Sequence, residues 1–249
     1  MRFAIAGGTG RVGAHVVAVA EERGHEVVVL TRRTGVDVRS GTGIAEAIEA
    51  AHAVIDVLSI STQSAHASTA FFTETTRALL AAERAAGVPH HVALSIVGID
   101  RASSYGYYTG KIAQERLVES GDVPWTILRA TQFHEFSGQI YAAAKAGPLH
   151  LAPRMRTQPI AAREVAERLV DLAEAGPAGR VPDLAGPREE SLVDMVRTYA
   201  RATGHRGWIP SLPLPGAAGR AMREGALLPG RDAQLGKQTF AEWIAALRA

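Results

Sequence analysis

The sequence predicts an α/β fold, a doubly wound parallel sheet followed by a smaller carboxyl-terminal lobe. Three observations carry that reading. Through roughly the first hundred residues, short apolar runs alternate with helical patterns, the order produced when crossover helices wind a parallel sheet. A glycine-rich turn, Gly7-Gly8-Thr9-Gly10-Arg11-Val12-Gly13, joins the first apolar run to the first helical pattern. Beyond about residue 130 the texture changes, with Pro148, Pro153, Pro159, Pro177, Pro182, Pro187, Pro210, Pro213 and Pro215 separating short helical stretches.

Taken in order, residues 3–6 form a first strand that stops at the glycines, and a helix follows over 11–23. A second strand, Glu26–Leu30, begins after Gly24. A short helix over 44–50 leads to a strand over 53–58, and an alanine-rich helix over 68–86 ends before Pro89. The strand His91–Ile96 comes next, then a helix from near Tyr107 to Gly121 and a buried strand over 125–128. Helices Ala162–Ala175 and 192–203 stand out in the later part. The division this suggests is a core of residues 1–130 and a smaller lobe of 131–249, with some elements of the lobe returning to the core to make one compact unit.

A chain of 249 residues holds between one and two domains. Its 47% hydrophobic and 21% charged residues exclude disordered and fibrous classes. Asp56, Arg129 and Asp171 interrupt the most apolar stretches, so none approaches the roughly 18 residues of a membrane span. Lys and Arg are scattered and the formal charge is only +2, which argues against nucleic acid as a partner. The absence of cysteine removes disulfides and thiolate sites, and with no leader-like run before Gly7 the expected location is the cytoplasm.

In the spacing G-x-x-G-x-x-G each glycine has a task. Gly7 permits a tight turn, Gly10 lets a pyrophosphate approach the backbone, and Gly13 lets the helix pack closely on the sheet. Free N–H groups of Thr9, Gly10, Arg11 and Val12 at the helix start would meet the phosphates, giving a Rossmann-type dinucleotide site. After the second strand, where an NAD-preferring site carries an acid for the ribose 2′-hydroxyl, this chain has Arg32 and Arg33. Guanidinium groups attract a 2′-phosphate, so NADP(H) is expected over NAD(H). Asp37 is a candidate for the adenine edge, or an ordinary surface acid.

Ser95 lies near the carboxyl end of its strand, where open α/β sheets place ligands. Tyr107 and Lys111 are spaced i, i+4 and share a helix face. An ammonium beside a phenol favours phenolate and would bring tyrosine toward the working range, and a nearby serine hydroxyl could donate to a developing oxyanion. Tyr108, one residue on, would point about 100° away.

The turn Gly7 to Gly13, the segment Ser95-Ile96-Val97-Gly98 and the pair Tyr107-x-x-x-Lys111 resemble the short-chain dehydrogenase/reductase superfamily. The glycine spacing, the length and the lobe resemble its atypical extended branch, the NmrA-like NAD(P)-binding proteins. Pro124 to Phe133, Gln158-Pro159-Ile160 and Leu184-Ala185-Gly186-Pro187 extend the similarity over nearly the whole chain.

The resemblance implies Ser95 as carbonyl orienter, Tyr107 as proton donor, and Lys111 as the group that lowers the tyrosine's pKa and holds the nicotinamide ribose. It further places Ser59 and Ser61 against the cofactor's ribose and phosphates, and Thr131, Gln132 and Phe133 toward the nicotinamide and substrate. Phe133, His134 and Phe136, with Trp208, could line an aromatic pocket or belong to the core. The implied activity is NADPH-dependent hydride transfer to a carbonyl or quinone-like small molecule. The alternative is an NADP(H)-binding redox sensor without turnover, and epimerase or dehydratase chemistry also occurs on this fold. The histidines form no metal motif, and Ser95 lacks a G-x-S-x-G elbow. A monomer or homodimer acting on a small molecule, aromatic or otherwise, is expected.

Overall fold

The computed structural model describes residues 1–147 and 149–247; Pro148, Arg248 and Ala249 fall outside the described residues. In chain order the main elements are β1 (Arg2–Ala6), α1 (Arg11–Glu22), β2 (Glu26–Leu30), α2 (Ile44–Ala47), β3 (Ala53–Asp56), α3 (Ala65–Ala86), β4 (His91–Ile96), α4 (Gly106–Glu119) and β5 (Trp125–Ala130). They continue through α5 (Phe136–Ala143), α6 (Ala162–Ala175), β6 (Gly179–Arg180), β7 (Leu184–Ala185), α7 (Leu192–Ala202), α8 (Gly216–Arg223), β8 (Gln234–Leu235) and α9 (Phe240–Ala246).

The strand expected over 53–58 stops at Asp56, because the Asp56 carboxylate accepts from Leu58 N at 2.9 Å and turns the chain out of the sheet. The long helix starts earlier than its apolar pattern suggested, capped by Ser64, whose hydroxyl accepts from Ala67 N. The helix expected over 44–50 ends at Ala47, and Ala50 takes a positive φ of 56°. The strand expected over 125–128 continues to Ala130.

The chain forms two compact units. The first comprises Met1–Ser95, Tyr105–Arg129 and Arg163–Pro182; the second comprises Ile96–Ser104, Ala130–Ala162 and Asp183–Ala249. In the first, the strands lie in the order β2-β1-β3-β4-β5, with β6 beside β5. The pairings of β1 with β2 and β3, of β3 with β4, and of β5 with β6 are parallel. The order reverses between β1 and β3, and ligands of open α/β sheets bind outside the strands' carboxyl ends at such a switch point.

Phe3, Ile5, Val54, Ile55, Phe72, Leu79 and Val92 are wholly buried in this unit. Strands covered on both faces need such near-continuous apolar runs, which is why β1 and β3 carry no alternation. Helices α3 and α4 approach closely because α4 carries Gly110, where a Cβ would fall 2.2 Å from Ser68 Oγ. The ends of α1 and α6 are joined by ion pairs, Arg163 to Glu22 and Arg23 to both Asp171 and Glu174.

In the second unit, β7 pairs in parallel with β8, and Leu184 pairs with Ala130 at the end of β5. Short ribbons join Arg156–Thr157 to Glu190–Ser191 and Ala152–Pro153 to Ser211–Leu212. Its interior includes an aromatic stack in which Trp243 lies between Tyr199 and Phe240. Among the described residues, no helix is long and apolar enough to cross a membrane.

Candidate active site

The site begins at the carboxyl end of β1. Gly7 has a φ of +86°, and a Cβ there would meet the Val57 carbonyl at 2.9 Å, so the turn runs hard against the chain leaving β3. Gly13 closes the other side, where a Cβ would fall 2.1 Å from Gly7 O. Gly8 is also a packing glycine, since a Cβ would lie 2.7 Å from Val29 Cγ1; the Gly7-Gly8 doublet was the available sign of it. Gly10 differs: it is exposed, and a Cβ would meet only Gly7 O, at 3.1 Å.

Gly10 is the N-cap of α1, so no side chain covers the helix start, and the first turn holds no acidic residue. The amino-terminal N–H groups and the positive end of the helix dipole are therefore open to an anion. Thr9 and Arg11 are exposed beside them, while the Val12 side chain is 6% exposed and packs inward, leaving only its backbone for a ligand. An uncapped helix start framed by glycines whose Cβ atoms would collide with backbone fits a dinucleotide pyrophosphate.

At the end of β2, Thr31 caps a short 3-10 turn, Arg32–Thr34, through reciprocal bonds with Thr34. This fixes the backbone under Arg32 and Arg33, which are both exposed; among the described residues neither side chain has a hydrogen-bond or ion-pair partner. The nearby Arg39 is committed to Glu74. Asp37 is partly committed as well, one carboxylate oxygen accepting from Arg39 N at 3.0 Å, so only the other remains for an adenine edge.

Tyr107 stands in the first turn of α4, and its hydroxyl lies 2.9 Å from Ser59 Oγ, on the chain leaving β3. Its own carbonyl accepts from Ser68 Oγ, and its ring meets Phe72 edge-on. Burial pushes the Tyr107 phenol above its ordinary value, with Asp56 and Tyr105 adding to the shift and the Ser59 hydrogen bond opposing it. This is opposite to the direction expected for a phenol tuned by Lys111.

The reason is where the ammonium points. Lys111 is buried, and its Nζ donates to Leu94 O at 2.6 Å and to Gln114 Oε1, over the face of the Phe72 ring. Burial lowers its pKa to about 8, with Asp56 and Glu115 opposing. Ser95 is 2% exposed, and its hydroxyl has no partner at hydrogen-bonding geometry. It lies toward Glu115, a carboxyl that burial would raise but that is held low by Arg129, Ser95 and Arg180. The structure thus brings Ser59, and not Ser95, to the Tyr107 hydroxyl. Tyr108 is 7% exposed and stacks edge-on with Tyr105.

Thr131 and Phe133 belong to the second unit. Thr131 Oγ1 donates to Gln158 O at 2.6 Å, and Phe133 forms an isolated bridge with Ile160. Of the aromatics expected to line a pocket, His134 is a core residue packed against Phe240 and Trp243, and burial lowers its pKa to about 4. Trp208 is 74% exposed.

No curated protein sequence matches this chain. Solved structures do. An NADPH-dependent quinone oxidoreductase from Escherichia coli, complexed with NADPH, is 17% identical with a TM-score of 0.74, over 98% of this chain and 99% of that one. A short-chain dehydrogenase/reductase superfamily protein from Agrobacterium tumefaciens with bound NAD is 19% identical with a TM-score of 0.69, over 100% and 96%. A UDP-N-acetylglucosamine 4-epimerase from Bacillus cereus is 15% identical with a TM-score of 0.71, over 99% and 96%. At these identities the likeness establishes the Rossmann-type fold, and a sequence profile gives the family. The profile of the NAD(P)H-binding family matches residues 34–175, more than half of the protein, and the chain belongs to that family.

Proposed function

We propose that the protein is an NADPH-dependent reductase that transfers hydride to a carbonyl or quinone-like small molecule, with Tyr107 supplying the proton. The observation that carries this reading is the hydroxyl pair of Ser59 and Tyr107, 2.9 Å apart at the carboxyl edge of a parallel sheet, with Tyr107 on the helix that also holds the buried Lys111. The likeness to an NADPH-dependent quinone oxidoreductase supports the substrate class.

The cofactor would be held by the turn from Gly7 through Gly13, with Thr9, Gly10, Arg11 and Val12 offering backbone N–H groups. Arg32 and Arg33 would meet the 2′-phosphate, and Asp37 is left with one oxygen for the adenine. Ser59 and Lys111 would face the ribose. When bound, NADPH supplies the hydride.

The chain's own residues manage the proton. Burial keeps the Tyr107 phenol protonated across the neutral range, which is the form an acid needs. Its O–H donates to the substrate oxygen as negative charge develops there, and the proton passes to that oxygen. The Ser59 hydroxyl, donating to Tyr107 Oη, stabilises the phenolate left behind.

A second reading, an NADP(H)-binding sensor of the NmrA-like type without turnover, is favoured by one observation: the Lys111 ammonium bonds inward to Leu94 and Gln114. One experiment separates the two. NADPH oxidation is measured against quinones, aldehydes and polycyclic ketones for the parent and for Tyr107→Phe. The expected result is turnover by the parent, a loss of kcat on the order of 100-fold in Tyr107→Phe with NADPH affinity unchanged, and a far smaller loss in Tyr108→Phe. Equal turnover by the parent and Tyr107→Phe would overturn the assignment of the proton donor, and binding without turnover on any substrate would leave the sensor.

A further inference from the structure

A buried ammonium is costly unless its donors find acceptors. Lys111 Nζ finds one in the Leu94 carbonyl of β4 and another in Gln114 Oε1, three residues along its own helix. Gln114 is itself 1% exposed, and its Nε2 donates to Asp56 Oδ2 at 2.8 Å. Asp56, fully buried at the end of β3, is fixed in turn by Leu58 N, which donates to Oδ1. A continuous chain of hydrogen bonds therefore runs from the backbone after β3, through a carboxylate, an amide and an ammonium, to the backbone of β4.

The amide in the middle has only one workable orientation. Rotated by half a turn, it would face its NH2 group to the ammonium and its oxygen to the carboxylate, replacing two attractions with two repulsions. The Asp56 carboxylate thus selects the orientation that presents oxygen to the lysine. By standing between the charges, the amide also keeps Lys111 from closing onto Asp56, a contact that would draw Nζ toward β3.

We propose that Gln114, oriented by Asp56, is a positioning residue that sets where the Lys111 ammonium sits. This rests on the reading of Lys111 as the cation of the active site. The groups facing the ammonium are Asp56 from β3, the Leu94 carbonyl from β4, the Phe72 ring from α3, and Gln114 and Glu115 from α4. With acids on two elements and an amide acceptor, the ammonium keeps its proton up to about pH 8 despite its burial.

The protein has three lysines, Lys111, Lys145 and Lys237, of which the latter two are exposed, so its lysine NMR spectrum can be assigned by difference with Lys111→Arg. In isotope-labelled protein without cofactor, the Lys111 titration midpoint is expected near 8. Gln114→Leu removes an acceptor and should lower the midpoint by about one pH unit or more, and Asp56→Asn should lower it as well. Gln114→Glu, close in shape, should raise it. That opposite sign is what a merely structural glutamine would not give, and it decides the question alone if Gln114→Leu does not fold. An unchanged midpoint in Gln114→Leu or Gln114→Glu overturns the proposal. The same variants are then titrated with NADPH across pH. Midpoints that move while NADPH affinity and turnover stay fixed would uphold the positioning chain and sink the placement of Lys111 in the site, so the two failures are distinguishable.

Discussion

The two ends of β4 treat buried charge in opposite ways. At the amino end, His91 Nδ1 meets the Glu83 carboxylate directly, at 2.8 and 3.0 Å, with both side chains fully buried. At the carboxyl end, the Leu94 carbonyl accepts from a lysine that is separated from its acid by an amide. Burial by itself would lower His91, yet Glu83 overrides it and holds the imidazole above its ordinary value. At Lys111 burial prevails, and the pKa falls to about 8. A directly paired charge is locked, whereas one held through a neutral group stays within reach of a proton exchange at working pH. That difference matches the general rule that a parallel sheet keeps its chemistry at the carboxyl ends of its strands.

Breaking the locked end should have the largest effect. Glu83→Ala strands a buried imidazolium and is expected to cost about 3–5 kcal/mol of stability, read from urea unfolding, with NADPH affinity of the folded protein unchanged. Because the folded pKa of His91 is raised, the pair's contribution is complete below about pH 6.5 and fades as pH rises through the folded value. The gap between parent and variant should therefore narrow in alkali; a gap that grew instead would mean that the pair is not ionic.

At the carboxyl ends, changes should alter binding and spare stability. Gly10→Val places a branched side chain where only Gly7 O stands nearby, so a native circular dichroism spectrum is expected alongside a loss of NADPH affinity on the order of 100-fold or more. Retained affinity would put the cofactor elsewhere. The smallest effect concerns cofactor choice. NADPH should bind about tenfold more tightly than NADH, about 1.4 kcal/mol, and joint replacement of Arg32 and Arg33 by alanine should erase that preference. Calorimetry showing equal affinities in the parent would remove the 2′-phosphate role from this pair.

The fold was legible because its signals are local. Apolar runs, glycine spacing and alternating helical patterns all lie within single elements, and the differences are confined to element ends, at two of which a side chain intervenes, Asp56 after β3 and Ser64 before α3. The site was less legible because its decisive contacts join distant segments. Ser59 lies in a stretch with no periodicity, and nothing in its spacing announces a partner 48 positions away. Ser95 sits on the right strand, but strand alternation turns it toward Glu115, and a sequence alone does not say which face meets α4. Two faint signs of the lysine's surroundings were present: an acid at the end of an otherwise apolar strand, and a glutamine three residues after Lys111, which a helix places on the same side.

The pairing of α1 with α6 bears on how the chain is made. Glu22 and Arg163 are 141 positions apart, and Arg23 and Asp171 are separated by 148. At a synthesis rate of about 5–20 residues per second, the first helix emerges roughly 7–30 s before its partner. During that interval a ribosome-bound chain has the glycine turn and the first strands in hand but lacks the segment that completes their unit. A ligand of the glycine turn could therefore engage this protein before α6 is made only if the turn folds ahead of it, and a chain released before residue 163 would carry the turn with α1 still unclasped.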